Sequence, residues 1–201
     1  MQAIDLLLSR RSALTLAEPG PDGAALELLL SSAARAPDHG RLRPWRFIVI
    51  RGTARERFGR VLAEQLRRVR PASSPEALER ERLKAFRAPL IIVVAAVKDP
   101  SSKVPRVEQL LSAGAAAQNI LLAARALGFN AVWKTGGAAY DDAVKRALGL
   151  EPADALAAFL YVGSELADRD ADAPRRDWRD RVSYWSSPES SDPDAQRAPT
   201  G

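Results

Sequence analysis

A continuous apolar run, Leu90-Ile91-Ile92-Val93-Val94, constrains the fold of this chain more than any other segment. A strand with one face in water alternates apolar and polar residues, whereas this run has no polar position. It therefore predicts a central strand, over about Ala88–Val97, that other elements cover on both faces. Pro89 suits the start of such a strand, where no N–H is needed for the ladder.

A second long apolar segment, Glu108–Leu127, is rich in alanine and leucine and predicts one helix. Its apolar residues extend around almost the whole circumference, and between Leu110 and Ala124 the exceptions are Ser112, Gly114, Gln118 and Asn119. A helix of this kind is buried, either at the centre of a domain or between subunits.

Further helices and strands surround these two elements. The other predicted helices are Ala3–Leu8, Ala24–Arg35, Ala54–Val69, Glu76–Phe86 and Asp141–Leu148. The other predicted strands are Phe47–Ile50, Asn130–Trp133 and Ala155–Gly163. This mixture predicts an α/β or α+β fold with one sheet covered by helices. We expect one domain over residues 1–185 and a disordered tail at 186–201, which is rich in Ser, Pro and Asp.

The formal charge of +5 and the pI near 10.0 raise the possibility of a nucleic-acid-binding module. The arginines, however, alternate with glutamates in both 64–68 and 76–84, which predicts solvated helix faces with i,i+4 ion pairs. Aromatic residues are only 6% of the chain, too few for a base-stacking platform. We therefore expect no nucleic-acid partner.

Composition also narrows the chemistry and the location. The chain has no cysteine and one histidine, which excludes disulfides, thiolate catalysis and a metal site built from several histidines. No apolar stretch approaches the roughly 20 residues of a membrane span. The N-terminus also lacks the basic-then-apolar layout of a signal peptide, so we expect a cytoplasmic protein that binds no membrane.

Two basic turns near the N-terminus suit an anionic group such as a phosphate. They are Arg10-Arg11-Ser12 and the stretch from Arg35 to Arg46, which contains His39. The guanidinium group matches phosphate geometry bidentately. A helix end with solvated arginines and a turn histidine bonded to backbone remain the alternatives.

A glycine turn closes the strand near residue 133, in the sequence Trp133-Lys134-Thr135-Gly136-Gly137. Backbone N–H groups in such turns can bind anions or the polar edge of a ring. A plain strand-to-helix connection is the alternative. Neither a P-loop nor a G-x-G-x-x-G motif is present in the sequence.

Taken in order, these motifs resemble those of the nitroreductase-like FMN flavoproteins, and in particular the small YdjA-like NAD(P)H nitroreductases. The resemblance covers about residues 1–165. It is carried by Arg10–Ser12, Arg35–His39, Pro44–Phe47, Phe86–Pro89, Val104–Gln109, Ser112–Gly114, Trp133–Gly136 and Phe159–Gly163.

This resemblance implies an α+β fold with a central, mostly antiparallel sheet flanked by helices. It also implies a homodimer whose interface contains the long helix and whose two FMN sites are each shared between subunits. The expected FMN ligands are Arg10, Arg11 and Ser12 for the phosphate and ribitol, Arg35 and His39 from the partner, and Trp133, Lys134 and Thr135 at the isoalloxazine edge. The expected NAD(P)H segment is Leu121, Leu122, Ala123, Ala124, Arg125 and Ala126. No catalytic side chain and no metal are implied.

The function implied by the resemblance is that of an FMN-dependent oxidoreductase. NADH or NADPH would supply hydride, and an electron-poor acceptor such as a nitroaromatic or a quinone would receive it in a ping-pong sequence. A flavin-storage protein with little turnover is the alternative. The chain departs from the wider family at Arg43, where many members have glutamine, and at Leu14, where many have a basic residue. Lys134 is the candidate to supply positive charge instead.

Overall fold

The computed structural model of the protein describes residues 2–13, 15–99, 101–166, 177–183 and 185. The chain divides into two units, Met1–Ala167 and Asp168–Gly201. The described part of the second unit contains a short 3-10 helix, Arg179–Arg181. Leu14 and the predicted tail at 186–201 lie outside the described residues, and the predicted boundary at residue 185 stays a prediction.

Helices and strands alternate irregularly along the first unit. The α-helices are α1 (Ala3–Ser9), α2 (Gly23–Ala33), α3 (Ala54–Val69), α4 (Pro75–Leu83), α5 (Arg106–Ala126) and α6 (Asp142–Ala147). The strands are β1 (Leu16–Ala17), β2 (Trp45–Arg51), β3 (Leu90–Ala96), β4 (Asn130–Lys134) and β5 (Ala155–Glu165). Short 3-10 helices lie at His39–Arg41, Lys84–Phe86 and Gly137–Tyr140.

The strands of the described residues form one five-stranded sheet in which every pairing is antiparallel. β3 lies between β2 and β5. β5 also pairs with β4, over Phe159–Gly163, and with β1 at its last two residues, Ser164 and Glu165. This arrangement confirms the predicted α+β fold with a central antiparallel sheet.

Helices cover both faces of β3, as its continuous apolar run predicts. Ile92 and Val94 belong to the core formed with α2 and α5, whereas Ile91 and Val93 belong to the core formed with α3 and α6. All four side chains are fully buried. Each contributes about 1.5–3 kcal/mol through its transfer from water.

Most predicted boundaries lie within two residues of the observed ones, and the helix ends follow local chemistry. The carboxylate of Asp22 accepts a hydrogen bond from the N–H of Ala25 at 2.7 Å, which caps α2. The ion pairs on α3 and α4 are spaced i,i+3 rather than the predicted i,i+4, as in Arg67–Glu64 and Arg82–Glu79. None of the described helices is both long and apolar enough to cross a bilayer.

Candidate active site

The first predicted motif, Arg10–Ser12, lies in an arm that joins α1 to β1 and is fixed to the sheet. The N–H of Ala13 donates to the carbonyl of Ala131 in β4 at 3.1 Å. Arg11 donates to both oxygens of Glu165, at 2.6 and 2.8 Å. Ser12 is exposed and Arg10 is half-buried. The arm therefore holds these two side chains beside the start of β4.

The glycine turn follows β4, a strand that pairs only with β5 among the described residues. The ring of Trp133 lies toward α5, because a Cβ added to Gly114 would be 4.0 Å from that ring. The Trp133 Nε1–H donates to the carbonyl of Ala157 at 3.1 Å. Lys134 points to the other side and lines a different cavity. Trp133 and Lys134 therefore lie on opposite sides of the sheet edge, and Thr135 lines the cavities on both sides.

The cavity on the α3 side of the sheet, here called the polar pocket, has a volume of about 200 Å³. Its charged lining consists of Lys84, Arg87 and Lys134 against Glu81. Its floor is apolar and includes Phe58 and Phe159. Lys84 pairs with Glu81 at 2.5 Å. With three cations and one carboxylate, the pocket favours an anionic or electron-rich ligand.

The backbone of the glycine turn adds donors to the polar pocket. Gly136 has a φ of +73°, a conformation that L side chains rarely adopt, and a Cβ added there would meet open space. Within the described part of the chain, the N–H groups of Gly136 and Gly137 have no acceptor. Two adjacent N–H groups that lack an acceptor are what the predicted contact with the polar edge of a ring requires.

The cavity on the α5 side, here called the apolar groove, has a volume of about 490 Å³. Leu110, Leu111 and Gly114 form one wall, and Trp133 forms part of the other. Val107 and Leu111 are 61% and 66% exposed on the same helix. One face of α5 therefore belongs to the core and the other remains open, which agrees with a helix that is apolar all round.

The loop that carries His39 is fixed to the start of α5. The Nδ1–H of His39 donates to Glu108 Oε2 at 2.6 Å, and the hydroxyl of Ser112 donates to the carbonyl of Pro37 at 2.6 Å. Arg41 and Arg43 have φ values of +55° and +50°. Non-glycine residues in this left-handed region cost of order 1–3 kcal/mol and cluster at functional loops.

The structure brings some predicted site residues together and leaves others apart. The arm and the glycine turn lie along β4, and the three residue steps from Ala131 to Lys134 span about 10 Å. An extended ligand along β4 can therefore reach both. Arg35 and His39 lie on the separate loop, and no described hydrogen bond or ion pair joins them to the arm or the turn.

The predicted NAD(P)H segment lies in the last turns of α5. Leu121 is 7% exposed and Ala124 is fully buried against the sheet. Leu122, Ala123 and Arg125 are half-buried, and Ala126 is exposed. Within the described residues, the buried Nε of Arg125 has no hydrogen-bond partner. The role of this segment stays a prediction.

Sequence reasoning missed several residues of the polar pocket. Lys84 was interpreted as part of a solvated helix face, and Arg87 and Tyr161 carried no functional prediction. Burial raises the pKa of Tyr161 to about 12, with nearby Arg87 opposing this shift and Glu81 adding to it. The available signal was the pair of cations just before the central strand, at Lys84 and Arg87.

Comparisons with known proteins identify relatives of this chain. The profile of the nitroreductase family matches residues 7–164. "Putative NAD(P)H nitroreductase YdjA" of Escherichia coli strain K12 is 43% identical over 164 residues, which cover 82% of this chain and 88% of that protein. "Putative NAD(P)H nitroreductase" of Haemophilus influenzae is 35% identical over 185 residues, which cover 92% and 100% respectively.

Solved structures share the fold. A nitroreductase-like family protein from Bacillus cereus superposes with a TM-score of 0.79 at 23% identity, covering 93% of this chain and 97% of that one. A protein from Desulfovibrio desulfuricans, described as a putative nitroreductase in complex with FMN, has a TM-score of 0.71 at 26% identity, covering 92% and 97%. With a family match across most of the chain and relatives above 30% identity, this protein belongs to the nitroreductase family.

Proposed function

We propose that the protein is an FMN-dependent oxidoreductase that works as a homodimer and reduces an electron-poor acceptor with NADH or NADPH. One observation carries the proposal: uncommitted backbone donors at Gly136 and Gly137 and the cations Lys84 and Lys134 meet in one pocket at the sheet edge. The FMN complex of the Desulfovibrio desulfuricans relative supports the choice of cofactor.

The residues present fit FMN in both charge and layout. The N–H groups at the glycine turn would hold the polar edge of the ring, and the lysines would offset negative charge that develops on it. At the other end of β4, Arg10 and Ser12 would hold the phosphate with charge-assisted hydrogen bonds. Arg11 belongs to the same predicted phosphate and ribitol set, although it also binds Glu165.

One chain alone supplies only part of such a site. The polar pocket, at about 200 Å³, is smaller than the roughly 300–1,000 Å³ of ordinary ligand sites. The open faces of α1 and α5 expose Ile4, Leu7, Leu8, Val107 and Leu111. A second copy packed on these apolar side chains would bury them, and its Arg35 and His39 would complete the cofactor site as predicted.

When bound, FMN supplies the hydride chemistry, accepting from NADH or NADPH and donating to a nitroaromatic, quinone or similar acceptor in a ping-pong sequence. The protein's part is to bind, orient and tune. Trp133 is 36% exposed beside the turn and offers an aromatic surface to a flat ligand. Leu121–Ala126 remains our proposed contact for the dinucleotide, with Arg125 as its cation. The cytoplasmic location stays a prediction.

A spectroscopic experiment tests the reductase against the flavin-storage alternative. The purified protein should be yellow, elute as a dimer, and lose its flavin absorbance when NADPH or NADH is added without oxygen. Adding a quinone should restore the absorbance. A yellow protein whose flavin stays oxidised with both nucleotides would be the storage protein. A colourless protein that takes up no added FMN would contradict both.

A further inference from the structure

Tyr161 lines the polar pocket, and its hydroxyl has no hydrogen-bond partner among the described residues. The residue lies in the middle of β5, opposite Ile91 of β3, and is 4% exposed. Among the described residues, Arg125 Nε is the one fully buried side-chain nitrogen or oxygen without a partner, so the Tyr161 hydroxyl is not sealed from the pocket. It therefore remains free to donate to a ligand in that pocket.

The surroundings of Tyr161 show where that partner would lie. Its side chain lines the polar pocket together with Lys84, Lys134 and Gly136. The pocket, at about 200 Å³, is several times the roughly 30 Å³ of one water molecule. It opens at the same turn whose uncommitted N–H groups carry the proposed flavin contact. The hydroxyl therefore lines a space that can hold the edge of a ligand ring, which is only part of a whole ligand site but more than the site of one water molecule.

We propose that Tyr161 is a positioning residue of the cofactor site, whose hydroxyl donates from the pocket wall to a polar atom of the bound flavin ring. This inference rests on the proposed function. It adds a side-chain donor on β5 to the backbone donors of the glycine turn and the ammonium groups of Lys84 and Lys134. The ring would then be held from two neighbouring strands of one rigid sheet.

The protonation of Tyr161 agrees with a donor role. Burial raises its pKa to about 12, so the hydroxyl keeps its proton across the physiological range. The charged groups that face the pocket are Glu81, Lys84, Arg87 and Lys134. A neutral donor among these cations stabilises the electron-rich reduced ring more than the oxidised ring, because hydrogen bonds strengthen with the charge of the acceptor.

Tyr161→Phe tests the inference, because it removes one oxygen and keeps the ring. We expect the apo protein to keep its melting temperature, since the substitution breaks no hydrogen bond among the described residues. We expect the FMN dissociation constant to rise about 2- to 10-fold, as for one hydrogen bond. The midpoint potential of bound FMN should become more negative, by about 15 mV if reduced flavin loses threefold more affinity than oxidised flavin.

Tyr140→Phe is the matched control, because it removes the hydroxyl of a tyrosine that is 77% exposed. It should leave both the dissociation constant and the potential at their wild-type values. If Tyr161→Phe binds FMN as tightly as wild type and at the same potential, the hydroxyl is structural and the inference is wrong while the proposed function stands. If the wild-type protein itself binds no FMN, the proposed function fails and this inference fails with it.

Discussion

Arg11 and Glu165 form a bidentate ion pair that joins the arm after α1 to the last residue of β5. The Nη1 and Nη2 atoms of Arg11 donate to Oε1 and Oε2 of Glu165 at 2.6 and 2.8 Å. The two side chains are only 18% and 13% exposed. Asn130 donates to the same Oε2 at 2.7 Å, so the carboxylate links the arm, β4 and β5. The pair fixes the backbone that carries Arg10 and Ser12.

Breaking this pair should both lower the free energy of unfolding and weaken FMN binding. We expect Glu165→Gln to lower the free energy of unfolding by about 2 kcal/mol, below the roughly 3–5 kcal/mol of a fully buried pair because both groups keep some contact with water. Arg11→Met should cost a similar amount. The double variant should lose at least about 1 kcal/mol less than the sum, as coupled neighbours do. Urea unfolding of the four proteins measures this.

The same variants distinguish whether Arg11 binds FMN directly or only holds the arm in place. If its main role is to hold the arm, Glu165→Gln and Arg11→Met should raise the FMN dissociation constant by similar factors, since Glu165 itself carries no charge that attracts a phosphate. A much larger rise for Arg11→Met than for Glu165→Gln would instead identify Arg11 as a direct phosphate ligand. Fluorescence titration of free FMN gives both constants.

Arg10 should contribute directly to cofactor retention. Arg10→Ala removes one charge-assisted hydrogen bond worth roughly 1.5–3 kcal/mol, which corresponds to about a 10- to 150-fold weaker FMN dissociation constant. The melting temperature of the apo protein should hardly change, because no described residue pairs with this side chain. Arg70→Ala, at the exposed end of α3, is the control and should bind FMN normally. Equal affinity in both variants would remove Arg10 from the site.

The open face of α5 should carry the dimer contact. Leu111 is 66% exposed in one chain, so Leu111→Arg should be tolerated by the monomer but place an unpaired charge in the apolar interface. We expect the variant to elute as a monomer and to lose FMN, because the site needs both copies. Leu83→Arg, on α4, introduces the same charge at a leucine that is 46% exposed and should stay dimeric. A dimeric Leu111→Arg protein with bound FMN would place the interface elsewhere.

Local sequence signals account for most of the fold. α3 begins and ends at the predicted residues, since its apolar stripe is uninterrupted and Pro71 follows soon after it. β1, in contrast, is missed because its two residues are held only by pairing with Ser164 and Glu165 of β5. β5 itself extends to Glu165, two residues beyond the prediction.

The candidate site shows the same division between local and long-range signals. The turn at Trp133–Gly137 carries its own glycines and is visible in the sequence. Lys84 and Tyr161 are not, because each becomes part of the polar pocket only when the 3-10 helix Lys84–Phe86 and β5 pack around that turn. In the sequence, a lysine in a highly charged segment looks like a surface residue. A tyrosine in an apolar strand looks like a core residue. Their pocket is a product of tertiary packing.

The buried Tyr161 should make the protein lose stability in alkaline solution over a defined range. Unfolded tyrosine has a pKa of about 10, whereas burial raises that of Tyr161 to about 12. Between these values the unfolded chain releases the proton and the folded chain keeps it, so stability falls as the pH rises. At about 1.4 kcal/mol per pKa unit, the loss amounts to roughly 2–3 kcal/mol above pH 12 and to nothing below about pH 9.

Urea unfolding of wild type and Tyr161→Phe at intervals from about pH 9 to 11.5 measures this loss. Taking the difference between the two proteins cancels the titration of other groups. Tyr140→Phe keeps Tyr161 and should follow the wild type, and parallel curves for wild type and Tyr161→Phe would show that the hydroxyl ionises as freely in the folded protein as in the unfolded chain.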